Sequence, residues 1–124
     1  TYFYEMKNNF DWMTKYFFQG GIMPSKDIFE YFNNDLEIIN QWDINGNHYS
    51  KTCKAWLKNH YKNKKKILDI FKNHYDKPNI WFNRWRIFFL ACEAFFALNN
   101  GKEYFVSHYL LKKKSGRELP KGSD

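Results

Sequence analysis

The sequence predicts an α/β fold that is rich in helix, contains about two strands and forms one end of a larger sheet. Two long segments, Ser50–Tyr75 and Ile80–Leu98, repeat apolar side chains every three or four residues, as amphipathic helices do. Two shorter segments, Leu36–Ile44 and Glu103–Lys112, are rich in β-branched and aromatic residues and predict strands. Because an isolated pair of strands is only marginally stable in water, we expect these two to need further sheet partners.

Two helices are predicted before the first of these strands. Apolar residues spaced by three or four positions indicate a helix over Tyr2–Phe18, which Gly20–Gly21 would end. Ser25 is a suitable N-cap for a short helix over Lys26–Asn33. The apolar stripe of the first helix is Phe3, Met6, Phe10, Met13 and Phe17, and the inward residues of the second are Ile28, Phe29 and Phe32.

The rest of the chain alternates turns with the long helices. Asn45-Gly46-Asn47 predicts a turn after the first strand, and Asn99-Asn100-Gly101 predicts the end of the last helix. The predicted inward face of Ser50–Tyr75 is Trp56, His60, Ile67, Leu68, Phe71 and Tyr75. That of Ile80–Leu98 is Trp81, Trp85, Phe88, Phe89, Cys92, Phe95 and Phe96.

Length and composition indicate one folded domain, placed at residues 1–114, with a disordered polar tail at 115–124. Aromatic residues make up 22% of the 124 residues, which argues against disorder as the main state. The only two cysteines, Cys53 and Cys92, are too few for a disulfide scaffold, so we expect a reducing, cytoplasmic location. We expect no signal peptide and no membrane-spanning segment, and the absence of an initiator Met predicts a processed or truncated start.

The chain is basic, and its lysines are concentrated in one region. Twenty Lys and Arg residues against thirteen Asp and Glu residues give a formal net charge of +7. Nine of the lysines lie between Lys51 and Lys77. Such a surface is compatible with a solvated helix face, with nucleic acid phosphates or with anionic lipid headgroups.

The common catalytic and metal-binding motifs are absent from the sequence. It has no glycine-rich phosphate loop, no Cys-x-x-Cys, no His-Glu-x-x-His and no Gly-x-Ser-x-Gly. The four histidines have no metal-ligand spacing, and Cys53 and Cys92 fit small core residues better than nucleophiles. The residues therefore predict no metal site.

Four segments resemble, in the same order, the cyclopropane-fatty-acyl-phospholipid synthases, a family that includes the mycolic acid cyclopropane synthases. Phe17–Ser25 resembles its Phe-Pro-Gly-Gly-x-Leu/Met-Pro-Ser segment, with Gln19 in place of Pro. Gly46–Trp56 resembles its Gly-x-His/Asn-Tyr-x-x-Thr-x-x-x-Trp motif. Arg84–Cys92 is similar to a helix near the end of the family's fold, and Glu103–Lys112 is similar to its final strand. The resemblance covers roughly residues 10–113.

The resemblance implies the C-terminal part of a Rossmann-like class I methyltransferase sheet. The family uses S-adenosylmethionine, but its cofactor loop, its acidic ribose-binding residue and its catalytic Cys, Glu and His lie upstream of the matching segments. The cofactor site is therefore expected outside this chain, and the 124 residues alone are expected to be inactive.

The resemblance also implies roles for six residues. Tyr49 matches the family tyrosine that helps to hold a bicarbonate ion, which acts as the general base when the ring closes. Phe89 and Cys92 match the helix that lines the acyl channel, and Phe18, Ile22 and Met23 would border the same channel. The alternative for each of these residues is plain core packing. Ring closure and simple methyl branching are equally compatible with the sequence.

The implied substrate is an unsaturated phospholipid or fatty-acyl chain, reached by peripheral docking at the membrane through Lys58, Lys62, Lys65 and Lys66. An RNA-binding or single-stranded nucleic acid-binding module is the alternative class. It is less favoured, because the aromatic residues fall on inward faces and do not alternate with the lysines. A third hypothesis keeps the methyltransferase fold but assigns a sphingolipid or small-molecule substrate.

Overall fold

The computed structural model describes residues 2–5, 7 and 11–114, so the disordered tail predicted over residues 115–124 lies outside the described part. The chain divides into two compact units. We call Thr1–Trp42 with Ser107–Asp124 the sheet unit, and Asp43–Val106 the helical unit. The single domain expected over residues 1–114 stays a prediction.

The sheet unit begins with a small antiparallel ribbon. Strand β1 (Tyr2–Phe3) pairs with strand β2 (Ile22–Met23), so that Tyr2 lies opposite Met23 and Phe3 opposite Ile22. The helix predicted over Tyr2–Phe18 is therefore wrong at its beginning, because pairing with β2 sets an extended backbone there. Residues 12–18 are helical, and within them Thr14–Phe18 has π-helical geometry.

Helix α1 (Ile28–Tyr31) is shorter than predicted. Its N-cap is Asp27 rather than Ser25, and no side chain caps it. Phe32, predicted to face inward, is 70% exposed, because the helix has already ended at Tyr31. Phe29 is also exposed, although its ring packs edge-to-face on that of Tyr109, with 4.8 Å between centroids.

The two predicted strands are confirmed as β3 (Leu36–Asn45) and β4 (Phe105–Lys113), which pair with each other in a two-stranded sheet. Their pairing is extended by a hydrogen bond from the Lys114 amide to the Asp35 carbonyl, at 3.0 Å. Ile39 and Leu110 are 50% and 51% exposed, so this chain leaves apolar side chains of the sheet uncovered.

The helical unit holds three helices: α2 (Gly46–Lys62), α3 (Lys64–Lys72) and α4 (Pro78–Gly101). The single helix predicted over Ser50–Tyr75 is wrong in its middle, where Asn63 has φ −102° and ψ 21°. The Asn63 side chain donates back to the Asn59 carbonyl at 2.8 Å and does not cap α3. Crowding of like charges among the neighbouring lysines also disfavours a continuous helix. The turn predicted at residues 45–47 is likewise wrong, because α2 begins directly at Gly46.

Helix α4 ends where the sequence predicts. Asn99, Asn100 and Gly101 have φ of 48°, 54° and 74°, the left-handed conformation that Asn and Gly adopt most readily. Helices α2 and α4 pack against each other. Their core is formed by Cys53, Leu57, Phe82 and Cys92. Trp56 and Phe95, predicted to face inward, are each 45% exposed. Within the described residues, no helix is both long and apolar enough to cross a bilayer.

Candidate active site

Tyr49 lies in the first turn of α2, and side-chain amides fix that turn against the end of α4. The Asn45 side chain accepts a hydrogen bond from the Asn47 amide at 2.9 Å, which caps the helix. The same side chain donates to the Asn100 carbonyl at 3.0 Å. Asn47 Nδ2 donates to Asn100 Oδ1, also at 3.0 Å. The position of Tyr49 is therefore set by contacts at one end of the α2–α4 pair, where α2 begins and α4 ends.

Gly46 is required for this close approach. A Cβ atom at Gly46 would lie 2.5 Å from the Phe96 carbonyl oxygen and would also collide with the Tyr104 carbonyl. Real Cβ atoms do not come so near to backbone oxygens. Because these carbonyls close the Cα side of Gly46, a residue with a side chain does not fit at this strand-to-helix junction.

The ring of Tyr49 stands among other aromatic rings. Phe96 meets it edge-to-face, with centroids 4.6 Å apart and planes at 79°. Trp56, two turns further along α2, meets it at 5.9 Å and 85°. Such T-shaped pairs place the positive edge of one ring on the negative face of another. The exposed part of this aromatic cluster offers ring faces to a ligand.

Two cysteines lie beneath Tyr49. The side chains of Tyr49 and Cys92 both lie near the thiol of Cys53, which is fully buried. Both thiols are free. We call Tyr49, Cys53, Trp56, Cys92 and Phe96 the Tyr49 cluster.

The Tyr49 cluster is uncharged near neutral pH. Burial, together with the neighbouring thiols, raises the pKa of Tyr49 to about 12. Burial likewise raises the pKa of Cys92 to about 11, and it raises the pKa of Cys53. Tyr49 can therefore orient a polar group by hydrogen bonding, but it is poorly suited to act as a base, and the thiols are poor nucleophiles.

Two polar contacts hold α2 and α4 together beside the cluster. The Ser50 hydroxyl donates to the Glu93 carbonyl at 2.8 Å. The His60 imidazole Nε2 lies 3.0 Å from the Phe82 carbonyl, and the His60 and Phe82 rings stack at 3.9 Å. Burial lowers the pKa of His60, so the neutral imidazole is favoured and can donate to that carbonyl.

The structure joins some of the predicted site residues. Cys92 lies in the Tyr49 cluster. The half-buried Phe89 packs against Trp56, with the two ring centroids 6.1 Å apart. Phe18, Ile22 and Met23 belong to the sheet unit, whereas Phe89 and Cys92 belong to the helical unit. The channel shared by all five therefore stays a prediction, as does the bicarbonate-holding role of Tyr49.

Cys53, Trp56 and Phe96 were not predicted from the sequence to belong to the site. Cys53 follows Tyr49 by four residues on one helix, a spacing that places two side chains on the same face and that could have revealed it. Phe96 joins the cluster through the packing of α4 on α2, which no local spacing encodes. Among the described residues, no group of three His, Cys, Asp or Glu side chains could hold a metal ion.

A match to a known protein family assigns the chain to a class of enzyme. The sequence profile of the mycolic acid cyclopropane synthetase family matches residues 2–104. The chain belongs to this family of S-adenosylmethionine-dependent methyltransferases, as the four motifs predicted.

Several individual relatives of the chain are N-methyltransferases. The chain is 36% identical over 119 residues to pavine N-methyltransferase of Thalictrum flavum subsp. glaucum. It is 36% identical to (S)-coclaurine N-methyltransferase of Papaver somniferum and 37% identical to that of T. flavum subsp. glaucum. Each match covers 92% of this chain but only 33–34% of the relative, so the chain spans about a third of the length of these proteins.

A solved structure supports the same assignment. The crystal structure of coclaurine N-methyltransferase bound to N-methylheliamine and SAH matches with a TM-score of 0.72 at 37% identity. The match covers 90% of this chain and 34% of that one. The predicted fold class, part of a methyltransferase fold rich in helix, is confirmed.

Proposed function

We propose that the complete protein, meaning the natural polypeptide that carries this chain, transfers a methyl group from S-adenosylmethionine to the nitrogen of a small aromatic amine. The observation that carries this proposal is the match to coclaurine N-methyltransferase, at 37% identity and a TM-score of 0.72. The pavine and coclaurine N-methyltransferases among the relatives support the same reaction.

The Tyr49 cluster suits the charge that develops in this reaction. When bound, S-adenosylmethionine supplies an electrophilic methyl group. The amine lone pair forms the new N–C bond, the S–C bond breaks with its electrons going to sulfur, and the nitrogen gains positive charge. The ring faces of Tyr49, Trp56 and Phe96 would attract that charge by ~0.5–2 kcal/mol.

The Tyr49 hydroxyl would accept a hydrogen bond from the amine N–H and so direct the lone pair away from the ring. Because the pKa of Tyr49 is raised to about 12, the hydroxyl stays protonated and does not remove the amine proton. Tyr49 is thus assigned to orient the substrate, and the base lies elsewhere in the complete protein.

A lipid substrate is the second candidate. The family profile that matches residues 2–104 is that of a cyclopropane synthetase. In that case the substrate is an unsaturated fatty-acyl chain of a phospholipid, Tyr49 holds a bicarbonate base, and Phe18, Ile22, Met23, Phe89 and Cys92 line the acyl channel. The relatives named above methylate nitrogen, so we rank this candidate below the amine.

Methyl-labelled S-adenosylmethionine separates the two candidates. The complete protein is incubated with the label and either a coclaurine-type amine or vesicles of an unsaturated phospholipid, and the products are analysed by mass spectrometry. We expect label on the amine nitrogen. Label in the acyl chains alone would support the lipid candidate, and label in neither substrate would overturn the proposal. The 124-residue chain by itself is expected to transfer no label.

A further inference from the structure

The helical unit carries a surface groove beside Trp56. It has a volume of about 330 Å³ and lies where α2, α3 and α4 meet. The side chains that form most of it are Trp56, His60, Lys66, Ile67, Ile70 and Phe89. The apolar members of this set belong to all three helices, so the floor of the groove is predominantly apolar. We call it the interhelical groove.

A second depression adjoins the interhelical groove and is basic. It has a volume of about 540 Å³ and is lined by Lys62, Lys65 and Lys66 together with Asp69. The two depressions share Asn63, Lys66 and Ile70, so the apolar groove opens directly beside the lysines. An apolar floor next to a cationic rim is complementary to a molecule with one apolar end and one anionic end.

The positive charge of this rim exceeds the negative charge beside it, with three lysines against the single Asp69 in the lining. Asp69, the acidic residue that lines the basic depression, forms its ion pair with Lys72 at 2.9 Å. Among the described residues, no carboxylate lies within ion-pair distance of Lys62, Lys65 or Lys66. These three lysines are exposed and can reach an incoming anion.

We propose that the interhelical groove binds a single-chain anionic amphiphile, namely a fatty-acid carboxylate. Its chain would lie on Trp56, Ile67 and Phe89, and its carboxylate would meet Lys66 with Lys62 or Lys65. This site shares Trp56 with the Tyr49 cluster but is otherwise lined by different residues, and it goes beyond the proposed methyl transfer.

The size and shape of the groove favour this ligand over a macromolecule. A volume of about 330 Å³ is at the lower end of the ~300–1,000 Å³ found for small-molecule sites. A partner helix is about 10–12 Å across and needs a longer apolar trough. A membrane surface would engage exposed lysines on any side of the unit and has no need of an apolar concavity beside them.

Calorimetric titration of the complete protein with dodecanoate tests the proposal. Dodecanoate is used as free monomer, and dodecyltrimethylammonium, which has the same chain and the opposite charge, is the ligand control. We expect dodecanoate to bind and Lys66→Gln to weaken binding by roughly tenfold. Lys58→Gln removes the same charge from α2 outside both depressions and should leave the affinity within about twofold, a change expected of distant surface charges.

A second variant tests the apolar part of the site. Ile70 is 49% exposed, so Ile70→Ala should preserve folding while weakening dodecanoate binding by several-fold. Equal affinity for the two ligands, or equal effects of Lys58→Gln and Lys66→Gln, would overturn the proposal. Binding only to anionic vesicles would indicate a membrane surface instead, and binding only to an acidic amphipathic peptide would indicate a protein partner.

Discussion

Phe96 of α4 meets Tyr49 of α2 edge-to-face, with ring centroids 4.6 Å apart. The family resemblance predicted Tyr49 as a site residue, whereas Phe96 was predicted only as a core residue. The contact brings the two together. Because both rings border the same uncharged cluster, the packing of α2 on α4 and the chemistry of the candidate site depend on each other.

The first prediction concerns Gly46. Gly46→Ala should lower the free energy of unfolding by at least about 2 kcal/mol, because the new methyl group would collide with the Phe96 and Tyr104 carbonyls. Gly20→Ala is the control: Gly20 has φ +76° but no atom within 4 Å of the new methyl group, so it should cost only about 1 kcal/mol. Urea titration measures both changes. Equal costs would contradict the close approach at Gly46.

The second prediction concerns stability in alkali. The folded state raises the pKa of Tyr49 from 10.0 to about 12, so it holds a proton that the unfolded chain has already lost in this range. Stability should therefore fall as the pH rises from about 10 to about 12, by an amount of the order of 1 kcal/mol for this partly exposed group.

Urea titrations at several alkaline pH values measure this loss. Tyr49→Phe should reduce the slope of stability against pH, whereas Tyr61→Phe, at an exposed position of the same helix, should not. If Tyr49→Phe leaves the slope unchanged, the burial of the Tyr49 hydroxyl is misassigned.

The third prediction concerns stability in acid. Burial lowers the pKa of His60 below its usual 6.5, so the unfolded state binds a proton more readily than the folded state. The stabilisation from the neutral ring is present above about pH 6.5 and should be lost as the pH falls through the folded-state pKa.

His60→Phe keeps an aromatic ring beside Phe82 but cannot titrate or donate to its carbonyl. It should cost about 1 kcal/mol at neutral pH and should flatten the acid dependence of the free energy of unfolding. His74→Gln removes an exposed imidazole and is the matched control. An unchanged acid dependence in His60→Phe would count against this assignment.

Local sequence rules predicted the elements whose ends are encoded in a few residues. The β-branched run at Leu36–Ile44 became β3, and the left-handed Asn99-Asn100-Gly101 segment ended α4 as expected. The same rules failed at the beginning of Tyr2–Phe18. The apolar spacing predicted a helix there, but Tyr2 and Phe3 pair as a strand with Ile22–Met23. They failed again at Asn63, where one side chain bonds back to Asn59 and the helix breaks.

The site was predicted only in part, for a similar reason. A motif could single out Tyr49 and Cys92, and the four-residue spacing could pair Tyr49 with Cys53, but neither could bring Cys92 into contact with them. That contact depends on the register of α2 against α4, which the Asn45, Asn47 and Asn100 hydrogen bonds fix. The interhelical groove was also missed, because its walls come from three helices and from a break that the sequence did not indicate.

The rate of amine methylation by a Tyr49 variant tests the central claim most directly. In the complete protein, Tyr49→Phe should lower kcat for N-methylation of a coclaurine-type amine by about tenfold, through loss of the orienting hydroxyl. Tyr61→Phe, exposed on the same helix, should keep the parent kcat. An unchanged kcat in Tyr49→Phe, or no methylation of the amine by the parent protein, would contradict the account.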